Sequence, residues 1–351
     1  MMPVSSQHIG QFYNQPVQEV TLSNQSGMSV SILTLGGIIR CLHVPDSDGE
    51  VKDIVLGYDN LADYAKDTHY MGAIIGRVAN RIEGAKFNYN GETIQVDRNA
   101  YDGKHCVHGG RFGYHHRVWQ IAIVDETDDE ISLWLLLEDA DGEEGFKGNI
   151  TVSAKYTLTS TNQLRLDISA CSDTASPMSM TAHSYFNLNG HESGSINNHL
   201  LRIPSDRTLQ QKQDRIPNGE VVSVRHTAFD YSLGMMLAEC VNNDIDINDS
   251  YVLSEAEEIR LVGELQTSKL GLRVYSNEDT LHFYNGHNLN QVAGKNTSVY
   301  QKFAGVCLEP KGYVNAVNIG HFPLSQVTPD KPYQHSIVYE FYYPDDNKSF
   351  S

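Results

Sequence analysis

Short apolar runs bounded by turn residues recur along the whole chain, and they constrain its fold more than any other feature. The runs 30–35, 121–124, 131–137, 150–158, 164–170, 221–224, 270–274 and 336–343 are rich in β-branched and aromatic residues. Runs of that length and composition, separated by turn residues, read as strands. In Thr151-Val152-Ser153-Ala154-Lys155-Tyr156-Thr157-Leu158 the even positions are apolar, the period of two that a half-buried strand requires. Asn90-Gly91, Asp102-Gly103, Asp141-Gly142, Asn189-Gly190 and Asn218-Gly219 supply the φ > 0 residues of tight hairpins. The one short helix expected is 61–67, after Asp59-Asn60. The fold class is therefore all-β, and residue patterns alone leave a large antiparallel sandwich and a barrel equally open. No Pro/Ser linker, composition break or short-period repeat divides the 351 residues, so residues 1–351 read as a single domain.

The charge balance narrows the partners. With 26 Lys plus Arg against 44 Asp plus Glu, the net charge is −18. Nucleic acid and anionic membranes need a basic footprint, so neither is expected as a partner. No apolar run approaches the ~18 residues of a membrane helix, and Met1 to Gly10 show no basic and apolar leader pattern. Cys41, Cys106, Cys171, Cys240 and Cys307 are scattered and form no CxxC pair, which suits reduced thiols in a cytoplasmic protein.

Chemistry concentrates in four separated segments. They are Ile75-Gly76-Arg77-Val78-Ala79-Asn80-Arg81-Ile82, Val107-His108-Gly109-Gly110-Arg111-Phe112-Gly113, Thr181-Ala182-His183-Ser184-Tyr185-Phe186-Asn187-Leu188-Asn189-Gly190, and Cys307-Leu308-Glu309-Pro310. His183 heads an aromatic, strand-like run, and a His near its unperturbed pKa of about 6.5 exchanges protons at neutral pH. Glu309 ends an apolar run, where burial is expected to raise its pKa.

Together the four segments resemble the aldose 1-epimerase (galactose mutarotase) family over most of the chain. That resemblance implies the large twisted β-sandwich, or supersandwich, of galactose mutarotase-like proteins. It also implies a reaction. An aldose loses the proton of its C1 hydroxyl while its ring oxygen gains one; the ring opens, C1 rotates and the ring closes on the other face. One base and one acid suffice, without metal or cofactor, and such groups each contribute roughly 10²–10⁴-fold. By resemblance Glu309 is the base and His183 the proton donor to the ring oxygen. His108 and Arg81 bind and polarise the sugar, while Gly76 and Asn80 read as scaffold. Ala182 stands where the family commonly has Asn.

The family's substrate-binding Asp transfers least cleanly. Aligned on Tyr251-Val252-Leu253, Asn248 takes its place and Asp249 follows, so either residue is a candidate for contacting sugar hydroxyls. Lys311 likewise occupies a position where the family often has Gln. The expected substrate is a free hexose such as galactose or glucose, handled by a monomer or homodimer.

Three rival readings stand beside this one. A hexose-6-phosphate 1-epimerase would draw on Lys311 and Arg111 to hold a phosphate. A mutarotase for an unusual sugar is motivated by Asn248, and a non-catalytic carbohydrate-binding protein would have kept the fold alone. A metal set among His105, His108, His115 and His116 lacks the supporting carboxylate or Cys that such sites use, and Asp139-Ala140-Asp141-Gly142-Glu143 lacks the pattern of a calcium loop. The stretches 125–130 and 255–258 read as solvated acidic turns.

Overall fold

A computed structural model describes residues 4–254 and 258–344. Two large antiparallel sheets dominate it. The nine-stranded sheet runs, edge to edge, through Gln120–Glu126, Glu130–Asp139, Ile150–Thr159, Gln163–Ser172, Tyr333–Tyr342, Gly271–Ser276, Arg260–Gln266, Leu200–Arg202 and Met235–Met236. The six-stranded sheet runs through Tyr185–Phe186, Val306–Lys311, Thr280–Tyr284, Asn248–Val252, Arg207–Gln211 and Pro217–Ser223. A five-stranded sheet formed by 4–53 adds a third layer of antiparallel pairs. The architecture is the large antiparallel β-sandwich, and the barrel is set aside.

The period-two pattern predicts which face goes inside. Val152, Ala154, Tyr156 and Leu158 are buried, and they join one apolar core with Phe186, Tyr251, Leu281, Phe283, Val306 and Leu308 of the six-stranded sheet. Because side chains alternate along a strand, the intervening residues of that second sheet point the other way. Tyr185, Asn248, His282, Tyr284, Cys307, Glu309 and Lys311 share this outer face, and it becomes the floor of the cleft described below.

Most local predictions hold, but Asp141-Gly142 lies in the long loop 140–149 between Glu130–Asp139 and Ile150–Thr159 and forms no tight hairpin. The helix forms at Leu61–Tyr64 and runs into a turn. Asn90 and Gly91, at φ of 50° and 82°, close the two-residue hairpin between Lys86–Tyr89 and Glu92–Gln95, as a type I′ turn does. Asn218-Gly219, by contrast, lies within the Pro217–Ser223 strand. The register there pairs Leu209 with Val221 but Gln211 with Pro217, so Gly219 at φ of 101° serves a bulge, and residues 212–216 reverse the chain. Asn189-Gly190 likewise bends a loop after Tyr185–Phe186 and joins no hairpin.

Of the acidic stretches, 125–130 is exposed, its turn confined to 127–129 between two strand ends, whereas Glu255, Ala256 and Glu257 lie outside the described residues. Asp139 is buried, accepting from Arg77 Nη2 at 2.6 Å and the Tyr114 hydroxyl at 2.8 Å. Its carboxylate is thus a structural partner for the second residue of the Gly76-Arg77 motif. No described helix is long and apolar enough to cross a membrane.

Candidate active site

Glu309 sits in the middle of the Val306–Lys311 strand, not at its end, between Thr280–Tyr284 on one side and Tyr185–Phe186 on the other. It is 1% exposed. Its Oε2 accepts a hydrogen bond from Lys311 Nζ at 2.9 Å, and its Oε1 lies 3.4 Å from His183 Nε2. The expected rise in its pKa does not occur. Burial is the largest influence and pushes upward, yet the charges of His183, Lys311 and Arg81 outweigh it and hold the carboxyl below its ordinary value.

His183 lies between the two-residue strands Thr181–Ala182 and Tyr185–Phe186. Its backbone is fixed on both sides: its N–H donates to Ala73 O at 2.9 Å, and its carbonyl accepts from Gly72 N at 3.0 Å. The ring stacks on Tyr185 with centroids 5.2 Å apart. Cys307 Sγ is 3.6 Å from Nδ1. Burial raises the Cys307 thiol well above its usual value, so the sulfur is a neutral thiol that can accept from Nδ1–H. A ring protonated at both nitrogens donates from Nδ1 to that sulfur and presents Nε2–H toward Glu309.

His108 is placed by backbone geometry. It adopts φ of 53°, its N–H donates to Asn80 O at 2.9 Å, and its Nδ1 accepts from Asn80 N at 3.3 Å. Burial, with His183 and Lys311 adding to it, lowers its pKa well below the usual His range. A neutral ring with Nδ1 accepting presents Nε2–H as a donor. Its centroid is 5.4 Å from that of His183. Gly109 explains why the following residue has no side chain, since a Cβ there would stand 2.0 Å from Gly76 O. The first and second motifs therefore meet backbone to backbone.

Arg81 donates from Nη1 to Asn80 Oδ1 at 2.8 Å and from Nε to the Tyr101 hydroxyl at 3.2 Å. That fixes the amide of Asn80, whose Nδ2 faces His282 Nε2 at 3.4 Å, while His282 Nδ1 lies 2.9 Å from Ser250 Oγ. With Asn80 Oδ1 committed to Arg81, Nδ2 must donate to His282 Nε2, and Nδ1–H donates to Ser250. Asn80 is thus a lining residue as well as scaffold.

These groups surround a cleft of about 270 Å³ that Tyr70, Asn248, Tyr284 and Asn288 also line. Strand alternation separates the two candidates for hydroxyl contact. Asn248 faces the cleft, and its buried Oδ1 has no hydrogen-bond partner among the described residues. Asp249 faces a different cleft beside Phe229, where its Oδ1 accepts from Gln211 Nε2 at 3.2 Å. Neither Lys311 nor Arg111 reaches into the first cleft: Lys311 is fully buried behind Glu309, and Arg111 is an exposed residue outside the lining.

The four sequence histidines do not converge. His105 bonds Gly84 N and Asp214, and His115 and His116 pack on each other. The one cluster of metal-type donors among the described residues is Cys307, His183 and Glu309, whose atoms lie within 4.8 Å of one another. Within it Cys307 Sγ contacts His183 Nδ1 at 3.6 Å, and the Lys311 ammonium already occupies Glu309 Oε2.

Sequence reasoning missed His282 and Tyr70. His282 left a signal: it interrupts Leu281 and Phe283, two apolar residues of one strand, all of whose residues are buried.

The comparisons agree with this geometry. The sequence matches the aldose 1-epimerase family profile over residues 18–340. It is 33% identical to a galactose mutarotase from Bos taurus over 90% of this chain and 91% of that protein. It is 31% identical to an aldose 1-epimerase from Escherichia coli over 93% of this chain and 96% of that one. Among solved structures, an aldose epimerase homologue from C. elegans superposes with a TM-score of 0.85 at 26% identity, covering 93% of this chain and 99% of that one. With a sandwich of the same fold, matching motifs, and their side chains gathered on one cleft, the chain belongs to the aldose 1-epimerase family.

Proposed function

We propose that the cleft interconverts the α and β anomers of a free hexose such as galactose or glucose. Glu309 Oε1 removes the proton of the C1 hydroxyl as the His183 imidazolium gives its Nε2 proton to the ring oxygen and becomes a neutral ring. The C1–ring oxygen bond breaks and leaves an open-chain aldehyde with a C5 hydroxyl. After rotation about C1–C2, His183 takes back the C5 hydroxyl proton, that oxygen attacks the other face of C1, and Glu309 returns its proton to the new C1 hydroxyl. Atoms and charges balance, and both groups return to their starting forms. His108 donates to the ring-oxygen region, Arg81 grips hydroxyls, and Asn248 offers an acceptor for a further hydroxyl.

The observation that carries this reading is the buried approach of Glu309 Oε1 to His183 Nε2, 3.4 Å apart on the cleft floor. A free sugar is favoured over a phosphorylated one because Lys311 is fully buried and engaged with Glu309. Five free cysteines, three of them buried, support a cytoplasmic location.

Polarimetry on freshly dissolved α-D-galactose and α-D-glucose tests the proposal. Wild-type protein should speed relaxation to anomeric equilibrium, and Glu309→Gln should abolish the acceleration. Acceleration that survives the substitution rules out Glu309 as the base.

A further inference from the structure

Lys311 stands two residues beyond Glu309 on the same face of the Val306–Lys311 strand. It is 0% exposed, and its Nζ donates to Glu309 Oε2 at 2.9 Å. Among the described residues it makes no other ion pair within 4.0 Å. Burying an ammonium sacrifices its hydration, and an apolar side chain of similar volume often stabilises as well or better. Stability is therefore a poor account of this lysine, whereas contact with the base is a direct one.

The other groups that face Glu309 do not duplicate it. From the same strand comes Cys307, held as a thiol by burial. From the adjacent strand comes His282, whose pKa burial pushes well below the usual range. From across the cleft come His108, also lowered by burial, and Arg81, whose charge acts on Glu309 without a hydrogen bond to it, its Nη1 and Nε being bonded to Asn80 and Tyr101. His183 approaches the opposite oxygen, Oε1. Lys311 alone among them places an ammonium in hydrogen-bond contact with Oε2.

We propose that Lys311 is a positioning residue of the reaction: its ammonium holds Oε2 of Glu309, leaves Oε1 aimed at His183 and the sugar, and keeps the base ionised in acid. The inference rests on Glu309 being the general base. A neighbouring opposite charge in a buried site lowers a carboxyl pKa by roughly one to three units, and the direction found for Glu309 agrees with this. The acid limb of kcat/KM reports that group in the free enzyme.

The test is the pH profile of kcat/KM on α-D-galactose, from about pH 3.5 to about pH 9, for wild type, Lys311→Met, Lys311→Gln and Lys311→Arg. Wild type should show its acid limb below the ordinary glutamate value of about 4.3. The two neutral variants should move that limb up by roughly one to three pH units, and Lys311→Arg should restore it toward wild type. A limb unmoved in the neutral variants overturns the inference. Should neither neutral variant fold, the wild-type limb decides alone: at or above the ordinary glutamate value, the inference is wrong. Glu309→Gln separates the two readings. If that variant stays active the base assignment itself fails, whereas an inactive Glu309→Gln with an unmoved Lys311→Met limb removes only the role of Lys311.

Discussion

Cys307 Sγ lies 3.6 Å from Nδ1 of His183, on the same sheet face as Glu309 two residues further along the strand. One short strand thus carries both the base and a contact to the second ring nitrogen of the acid. The neutral sulfur accepts from Nδ1–H of the imidazolium, which orients the ring so that Nε2–H faces the cleft.

Cys307→Ala should therefore lower kcat with little change in KM. One hydrogen bond is worth about 1 kcal/mol, or roughly fivefold in rate. Cys307→Ser, which keeps an acceptor, should lose less. Polarimetric kcat values, with ¹⁵N spectra of the imidazole to report the Nδ1 hydrogen bond, check this. An Ala variant with wild-type kcat and an unchanged Nδ1 signal would mean that the thiol is inert packing.

Asn248 and Asp249 are adjacent in sequence and face opposite sides of the six-stranded sheet. Asn248→Ala should raise KM for the sugar, costing roughly 2- to 10-fold in kcat/KM, the range of one neutral hydrogen bond. Asp249→Asn should leave the kinetics within about twofold, because the half-buried carboxylate faces away from the cleft and the amide can keep its bond to Gln211. The reverse outcome would return Asp249 to the substrate side of the argument.

That pair also marks how far the sequence was legible. The strands of the large sheet, their inward faces and the four motifs were readable because period-two patterning and turn residues act locally. Glu309 and His183 were found through motif resemblance, which names residues without giving their surroundings. What escaped was anything set by cross-strand register. Asn248 and Asp249 separate only once the strand's inward face is known, and the pKa of Glu309 falls because Lys311, His183 and Arg81 converge on it from three parts of the chain. His282 became part of the site through its pairing opposite Glu309. The misplaced Asn218-Gly219 turn has the same origin, since a φ > 0 pair serves a bulge as well as a hairpin.

Glu278 makes a pH prediction that concerns stability alone. It is buried at the end of the nine-stranded sheet, accepts from the Tyr333 hydroxyl at 3.0 Å, and burial pushes its pKa up to about 7. For a carboxyl whose folded pKa is raised, the folded state binds more protons than the unfolded chain between the two values. Stability should then fall as pH rises from about 4.3 toward 7 and level off above, a loss of about 4 kcal/mol from this group. Glu278→Gln keeps the acceptor for Tyr333 and removes the titration. The gain in Tm of the variant over wild type should grow between pH 5 and pH 8, both set by that window. A constant difference across the range would show that Glu278 is not held protonated.

Gly109 supplies the last prediction, because it shows how two motifs far apart in sequence are held as one site. Its φ is 82°, and a Cβ there would meet Gly76 O at 2.0 Å, Gly76 C at 2.4 Å and Arg77 N at 2.5 Å. All three are backbone atoms and cannot rotate away. Gly76 is itself hemmed in, since a Cβ on it would lie 2.3 Å from the Tyr114 ring. Relief requires the His108 segment to move off the Arg77 segment, carrying His108 away from Asn80. Gly109→Ala should therefore destabilise the fold by roughly 3 kcal/mol or more, well beyond an ordinary surface change. Any folded fraction should also lose kcat/KM, since His108 and the Asn80–Arg81 pair would part. Gly91→Ala is the matched control: it too has positive φ, at 82°, but nothing lies within 4 Å of its Cβ, so strain alone should cost about 1 kcal/mol. Equal losses in the two variants, measured by denaturant titration, would show that the backbone contact between the motifs contributes nothing beyond conformational strain.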